Sequence, residues 1–121
     1  VKRSVLVVDD DPLILRIVST ILDLEEFDVA TAHDAAEAML ILDGARPDIV
    51  VTDVMMPGMD GFDLCRRIKD DHPALPVILL TAREDDDSLR QGKESGSDAY
   101  LTKPFSPLEL IDAIESLLAK A

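Results

Sequence analysis

Basic residues are scarce in this chain: 12 lysines and arginines stand against 25 aspartates and glutamates, a net charge of −13. Phosphate backbones need a basic footprint, so this segment is not expected to bind DNA or RNA. Basic patches on a partner and divalent cations are its natural counterparts. Cysteine is almost absent too. Cys65 stands alone, which excludes an internal disulfide and a cysteine-built zinc site. It falls in a predicted helix, Phe62 to Lys69, on the side of Phe62 and Ile68, and reads as a small packing residue. No apolar run is long enough to cross a bilayer, and the start carries no signal-peptide pattern. No membrane contact is expected, and the cytoplasm is the expected compartment. Glycine-rich nucleotide loops, Ser/His/Asp sets and zinc spacings are also missing. His33 and His72 stand apart from each other and read as surface residues. The first residue is Val rather than Met, which is compatible with a piece of a longer protein.

What the chain does have is alternation. A length of 121 residues fits one domain, 1–121, with a real core. Five short apolar runs are predicted strands: Ser4 to Val8, Asp28 to Thr31, Asp48 to Thr52, Val77 to Leu80 and Ala99 to Thr102. Val5–Val8, Ile49–Val51 and Val77–Leu80 are continuously apolar, the pattern of strands covered on both faces. Between them lie amphipathic stretches with helix start signals. Asp11-Pro12 supplies a cap and a first-turn proline, Ala35 to Leu42 is alanine-rich, and Ser106-Pro107-Leu108-Glu109 is a capping box. Glu84 to Ser95 is weaker, with Leu89 as its one large apolar residue and Gly92 inside it, and is expected to be a marginal helix. Five βα units imply an α/β fold, a parallel sheet with helices on both faces.

The strand ends carry the chemistry. Val5-Leu6-Val7-Val8 runs into Asp9-Asp10-Asp11. Asp11 serves as a cap, but one residue suffices for that, and three adjacent carboxylates repel unless a cation relieves them. Asp53 ends another run, at the mouth of the loop Val54-Met55-Met56-Pro57-Gly58-Met59-Asp60-Gly61. Asp60 is expected to cap the next helix, whereas Asp53 has no such local role. Thr81 ends the fourth run and Lys103-Pro104 follows the fifth, with a cis bond anticipated at Pro104. In open α/β sheets reactive groups gather at the carboxyl ends of strands. Carboxylates, a hydroxyl and an ammonium on one such edge suit a Mg²⁺-assisted phosphoryl site.

These pieces resemble the receiver domain of two-component response regulators. The matching stretches are Val5 to Pro12, Asp53 to Gly61, Leu80-Thr81-Ala82 and Gly96 to Phe105. The resemblance implies a flavodoxin-like, doubly wound five-stranded parallel sheet of order 2-1-3-4-5 with five helices. It implies that Asp53 accepts a phosphoryl group from a phosphohistidine on a sensor histidine kinase or histidine phosphotransfer protein. Asp9, Asp10 and Asp53 then hold Mg²⁺ with the Met55 backbone carbonyl, and Lys103 contacts the phosphoryl oxygens. Thr81 closes on the phosphorylated state and Tyr100 changes rotamer with it. The face of the fourth helix, fifth strand and fifth helix then controls an output domain or effector protein, or forms a phosphorylation-dependent homodimer. Such a domain catalyses only its own phosphorylation and dephosphorylation. Met55 and Arg83 flank the site, and Met55 is expected to shield the aspartyl phosphate from water.

Two rival classes share parts of this pattern. An aspartyl-nucleophile phosphatase or phosphotransferase carries a second aspartate two residues after its nucleophile, where this chain has Met55. A flavodoxin-like electron carrier needs a Ser/Thr/Gly phosphate loop after the first strand, where Asp9-Asp10-Asp11 would repel a flavin phosphate.

Overall fold

Strands that are apolar at every position must be covered on both sides, and the sheet shows how. The computed structural model describes residues 2–82 and 86–120, with Asp86 described by its backbone alone. The expectations placed on Arg83, Glu84 and Asp85 therefore lie outside the described residues. Along the chain run β1 (Ser4–Val8), α1 (Pro12–Leu24), β2 (Asp28–Ala32), α2 (Ala35–Gly44), β3 (Ile49–Asp53), α3 (Gly61–Asp71), β4 (Val77–Thr81), α4 (Asp86–Glu94), β5 (Ala99–Thr102) and α5 (Pro107–Ala119). The strands form one sheet in the order β2-β1-β3-β4-β5, and every pairing is parallel. The flavodoxin-like α/β architecture expected from the sequence is the one observed.

Alternate residues of the central strands point to opposite faces and feed two apolar layers. On one face Leu6, Val8, Val50, Val77 and Leu79 pack with Ala38 and Leu42 of α2 and with Phe62, Leu64, Cys65 and Ile68 of α3. On the other, Val5, Val7, Ile49, Val51, Ile78 and Leu80 meet Leu15, Val18 and Leu22 of α1 and Leu110, Ile111, Ile114 and Leu118 of α5. The helix starts are fixed by side chains. Asp11 accepts from the Leu13 amide, Asp34 from Glu37, Asp60 from Asp63, and Ser106 forms a full capping box with Glu109.

Some boundaries differ from the sequence reading. β3 begins at Ile49 and keeps Asp53, because Asp53 pairs with Leu80 and the Val54 amide donates to the Leu80 carbonyl. Asp48 instead turns its carboxylate to the Ser4 amide, 2.8 Å away. α4 ends at Glu94, and Gly96, with φ +86°, turns the chain out of the helix. α4 exposes Leu89 at 42% and buries Ser88 with Gly92, and Ser95 just past its end is buried too, so the contact face is built of small residues. His33 is exposed and lies 3.3 Å from Glu37. His72, expected at the surface, is half-buried at the end of α3, where its amide donates to the Ile68 carbonyl. Cys65 is fully buried, as its position on the apolar face of α3 required.

Candidate functional site

The order β2-β1-β3 means that the chain leaves β1 to one side and later returns to the other. That reversal opens a crevice at the carboxyl ends of β1 and β3. Val8 is paired with Thr52, so the next residues, Asp9 and Asp53, come out side by side. Both are buried, with 1% and 6% of their surface exposed, while Asp10 is exposed. One carboxylate oxygen from each of Asp9, Asp10 and Asp53 lies within 4.8 Å of the others.

Local bonds orient the two buried acids. Asp9 Oδ1 accepts from the Asp11 amide at 2.9 Å, and Asp53 Oδ1 accepts from the Val54 amide at 2.9 Å. Thr52 Oγ1 donates to the Asp53 carbonyl. Beneath Asp53, the first turn of α3 runs against the strand end, and the Gly61 amide donates to the Val54 carbonyl at 2.8 Å. A Cβ at Gly61 would overlap the Asp53 carbonyl oxygen and lie 2.7 Å from the Val54 Cα. Only glycine permits that approach.

Lys103 reaches this pocket from β5, across the end of β4. Its Nζ is 3.3 Å from Asp53 Oδ1 and 3.4 Å from Asp9 Oδ2. Both separations exceed the roughly 2.7–2.9 Å of a tight charge-assisted bond, so the ammonium is shared between the two acids. The Lys103 amide is tied to the Thr81 carbonyl at 2.6 Å, and the Lys103–Pro104 bond is cis, as anticipated. Thr81, fully buried, ends β4 in register with Thr102. Tyr100 sits on β5, half-buried. Met55, two residues beyond Asp53, is 59% exposed.

Burial raises the pKa of Asp53 above its ordinary 3.8, and the neighbouring Asp9 carboxylate adds to the rise, against which Lys103 and the Val54 amide work. The pocket is therefore short of positive charge. Three carboxylate oxygens within 4.8 Å of one another form a hard-oxygen set compatible with a divalent cation such as Mg²⁺.

The structure thus brings Asp9, Asp10, Asp53 and Lys103 together and places Thr81 at the end of the strand between Asp53 and Lys103. Sequence reasoning noted Asp60-Gly61 as a motif but missed what Gly61 does for Asp53. It also missed Asp98, whose Oδ2 accepts from Lys69 Nζ at 2.7 Å and from the Val77 amide at 2.9 Å, fixing the start of β4 to α3 and β5. Its position just before β5 was the only available signal.

Fold and pocket together define a flavodoxin-like α/β domain with an acidic cluster at its switch point. The family described as the response regulator receiver domain matches residues 5–115. The chain is 39% identical over 119 residues to the DNA-binding response regulator MtrA of Mycolicibacterium smegmatis, covering 98% of this chain and 52% of that protein. It is 44% identical over 115 residues to the heme response regulator HssR of Staphylococcus aureus, covering 95% of this chain and 51% of that protein. Among solved structures, the chemotaxis protein CheY4 of Vibrio cholerae matches with a TM-score of 0.92 at 31% identity, covering 97% of this chain and 99% of that one. The receiver domain of the Francisella response regulator 1452 matches with a TM-score of 0.92 at 36% identity, covering 98% of each chain. The chain belongs to the receiver domain family of two-component response regulators. It spans about half the length of the curated relatives it matches. Among the described residues no helix is long and apolar enough to cross a membrane.

Proposed function

We propose that this domain is the phosphoacceptor switch of a two-component phosphorelay, with Asp53 receiving the phosphoryl group of a phosphohistidine on a sensor histidine kinase or histidine phosphotransfer protein. The observation that carries the reading is the placement of Lys103 between Asp53 and Asp9, beside the three-carboxylate cluster. Phosphoryl transfer asks a protein mainly for positioning and charge neutralisation, and these residues provide both. Asp53 is held by the hydrogen bond that its Oδ1 accepts from the Val54 amide, with its second oxygen, Oδ2, left as the attacking atom. That oxygen bonds to phosphorus as the P–N bond of the phosphohistidine breaks, and the imidazole leaves with the electron pair.

Asp9, Asp10 and Asp53 would hold Mg²⁺ together with the Met55 carbonyl. When bound, the ion neutralises charge on the phosphoryl oxygens. Lys103, already shared between two acids, transfers part of its interaction to those oxygens. Thr81, at the neighbouring strand end, provides a hydroxyl for the same group, and Tyr100 turns with it. The domain promotes only its own phosphorylation and dephosphorylation. Met55 stands where the rival phosphatase class carries its acid/base carboxyl, and a thioether cannot serve as one.

The α4–β5–α5 face is the surface read by an output domain or effector protein, or by a second copy in a phosphorylation-dependent dimer. The names of the relatives, and the half of their length that this chain spans, support an output domain in the complete protein, with a DNA-binding one favoured by MtrA. The compartment that fits a histidine kinase partner is the cytoplasm.

Acetyl phosphate with Mg²⁺ should add one phosphoryl group, read by intact mass. Asp53→Asn should abolish it, and a retained label on that variant would overturn the assignment. Lys103→Ala should separate phosphorylation from any change in surface or self-association; a normal response would remove Lys103 from the mechanism.

A further inference from the structure

Tyr100 is packed against the core layer that α2 and α3 cover, and it borders two surface hollows. One, of about 370 Å³, opens between α4 and β5 and is lined by Leu89, Gly92, Lys93 and Ser97. The other, of about 620 Å³, is bounded by Ala82, Lys103, Pro104 and Glu109. Tyr100 lines both, and the elements packed against its ring determine which of them it fills.

Gly92 does so by what it lacks. A Cβ there would stand 3.0 Å from Cδ2 and 3.2 Å from Cε2 of Tyr100, inside the about 3.5–4.0 Å at which carbon atoms pack. The backbone itself does not call for glycine. Gly92 lies within α4 and is not among the positive-φ glycines, which are Gly58 and Gly96. In a helix interior, glycine is less favourable than alanine. Nor is α4 free to back away at this point. The Gly92 carbonyl accepts from Ser95 Oγ at 2.7 Å and from Ser97 Oγ at 2.9 Å. The Ser95 carbonyl in turn accepts from the buried Cys65 thiol of α3 at 3.4 Å.

We propose that Gly92 is a positioning residue of the switch: the space left by its missing side chain is the seat that Tyr100 occupies against α4, and it sets how readily the ring turns to the other hollow. The proposal rests on the reading of Tyr100 as part of the phosphorylation response, but the seat itself can be tested without any phosphoryl group.

Replacing Gly92 by Ala should lower the melting temperature while Tyr100 is present. In a Tyr100→Ala background the same change should raise the folded-to-unfolded ratio roughly fivefold, as helix propensity alone dictates. An equal effect in both backgrounds would overturn the seat. Should Gly92→Ala alone fail to fold, recovery of folding in the double variant carries the same information, and failure of both counts against it.

The spectroscopic arm uses the chain's single tyrosine and lack of tryptophan, which make intrinsic emission a report on Tyr100 alone. Gly92→Ala should increase acrylamide quenching before activation and shrink the further change produced by beryllium trifluoride with Mg²⁺. Quenching identical to wild type in both states would overturn the proposal. Acetyl phosphate labelling separates the two ideas. A wild-type chain that takes no label but shows the Gly92–Tyr100 coupling keeps the seat and loses the phosphorelay reading. A labelled chain without the coupling loses the seat alone.

Discussion

The surroundings of Asp53 disfavour its charged form. Its pKa is raised by burial and by Asp9, so between the ordinary value and the raised one the folded chain binds more protons than the unfolded chain. The contribution of Asp53 to the stability of the metal-free protein is therefore fullest below the ordinary carboxylate range and is lost as pH climbs through the raised value. Asp53→Asn, which keeps the shape and removes the charge, should raise the melting temperature in chelator near neutral pH. Added Mg²⁺ should raise it for wild type and do less for the variant. A wild type more stable than Asp53→Asn in chelator would contradict the charge imbalance. Gly61 is the other sensitive residue, because a Cβ there overlaps the Asp53 carbonyl and both groups are backbone. Gly61→Ala should cost about 1–3 kcal/mol or more in denaturant unfolding and should slow labelling by acetyl phosphate, since the strand end carrying Asp53 must shift. Met55, exposed two residues beyond Asp53, should act on the lifetime of a phosphoryl group placed on Asp53 as proposed. Met55→Asn should speed its hydrolysis by admitting water, and an unchanged decay rate would remove Met55 from that role.

At the scale of elements, α4 differs from the other helices. It buries Ser88 and Gly92, with Ser95 just past its end, rather than leucines and isoleucines, and small side chains exclude little water from the interface. Its amides should exchange with deuterium sooner than those of α3 or α5, measured residue by residue. Its C-terminal end is the better anchored, through Ser95 to Cys65 and through Asp98 to Lys69. Burial raises the pKa of the Cys65 thiol, which donates to the Ser95 carbonyl. A neutral, enclosed thiol is a poor nucleophile, so alkylation of Cys65 should follow opening of the α3–α4 contact and respond to denaturant. Continuous apolar runs made β1 and β4 legible from sequence alone, and the Ser106 capping box marked α5. The end of β3 was not, because Asp53 belongs to the strand only through its pairing with Leu80 on another element. Gly61 and Gly92 were illegible for the same reason: each makes room for an atom remote in sequence, and local pattern does not contain that information.

For the whole molecule, the topology does the assembling. Val8 and Thr52 are neighbours only because the strand order places β3 beside β1, and the parallel register then carries Asp9 and Asp53 into one crevice. The sequence made the membership of the cluster readable, since each residue follows a recognisable strand. The sharing of Lys103 between two acids was not, because it depends on β5 lying beyond β4 and on the reach of one side chain. The charge of −13 leaves most acids outside this crevice, where salt screens them. Raising monovalent salt should therefore weaken docking to a basic partner surface more than it weakens stability.

The placement of Lys103 after the fifth strand also sets an order of events during synthesis. The acids of β1 and β3 leave the ribosome first, and the ammonium that balances them follows some fifty residues after Asp53. Nascent chains halted before β5 should stay refractory to acetyl phosphate, so that labelling would report the completed sheet.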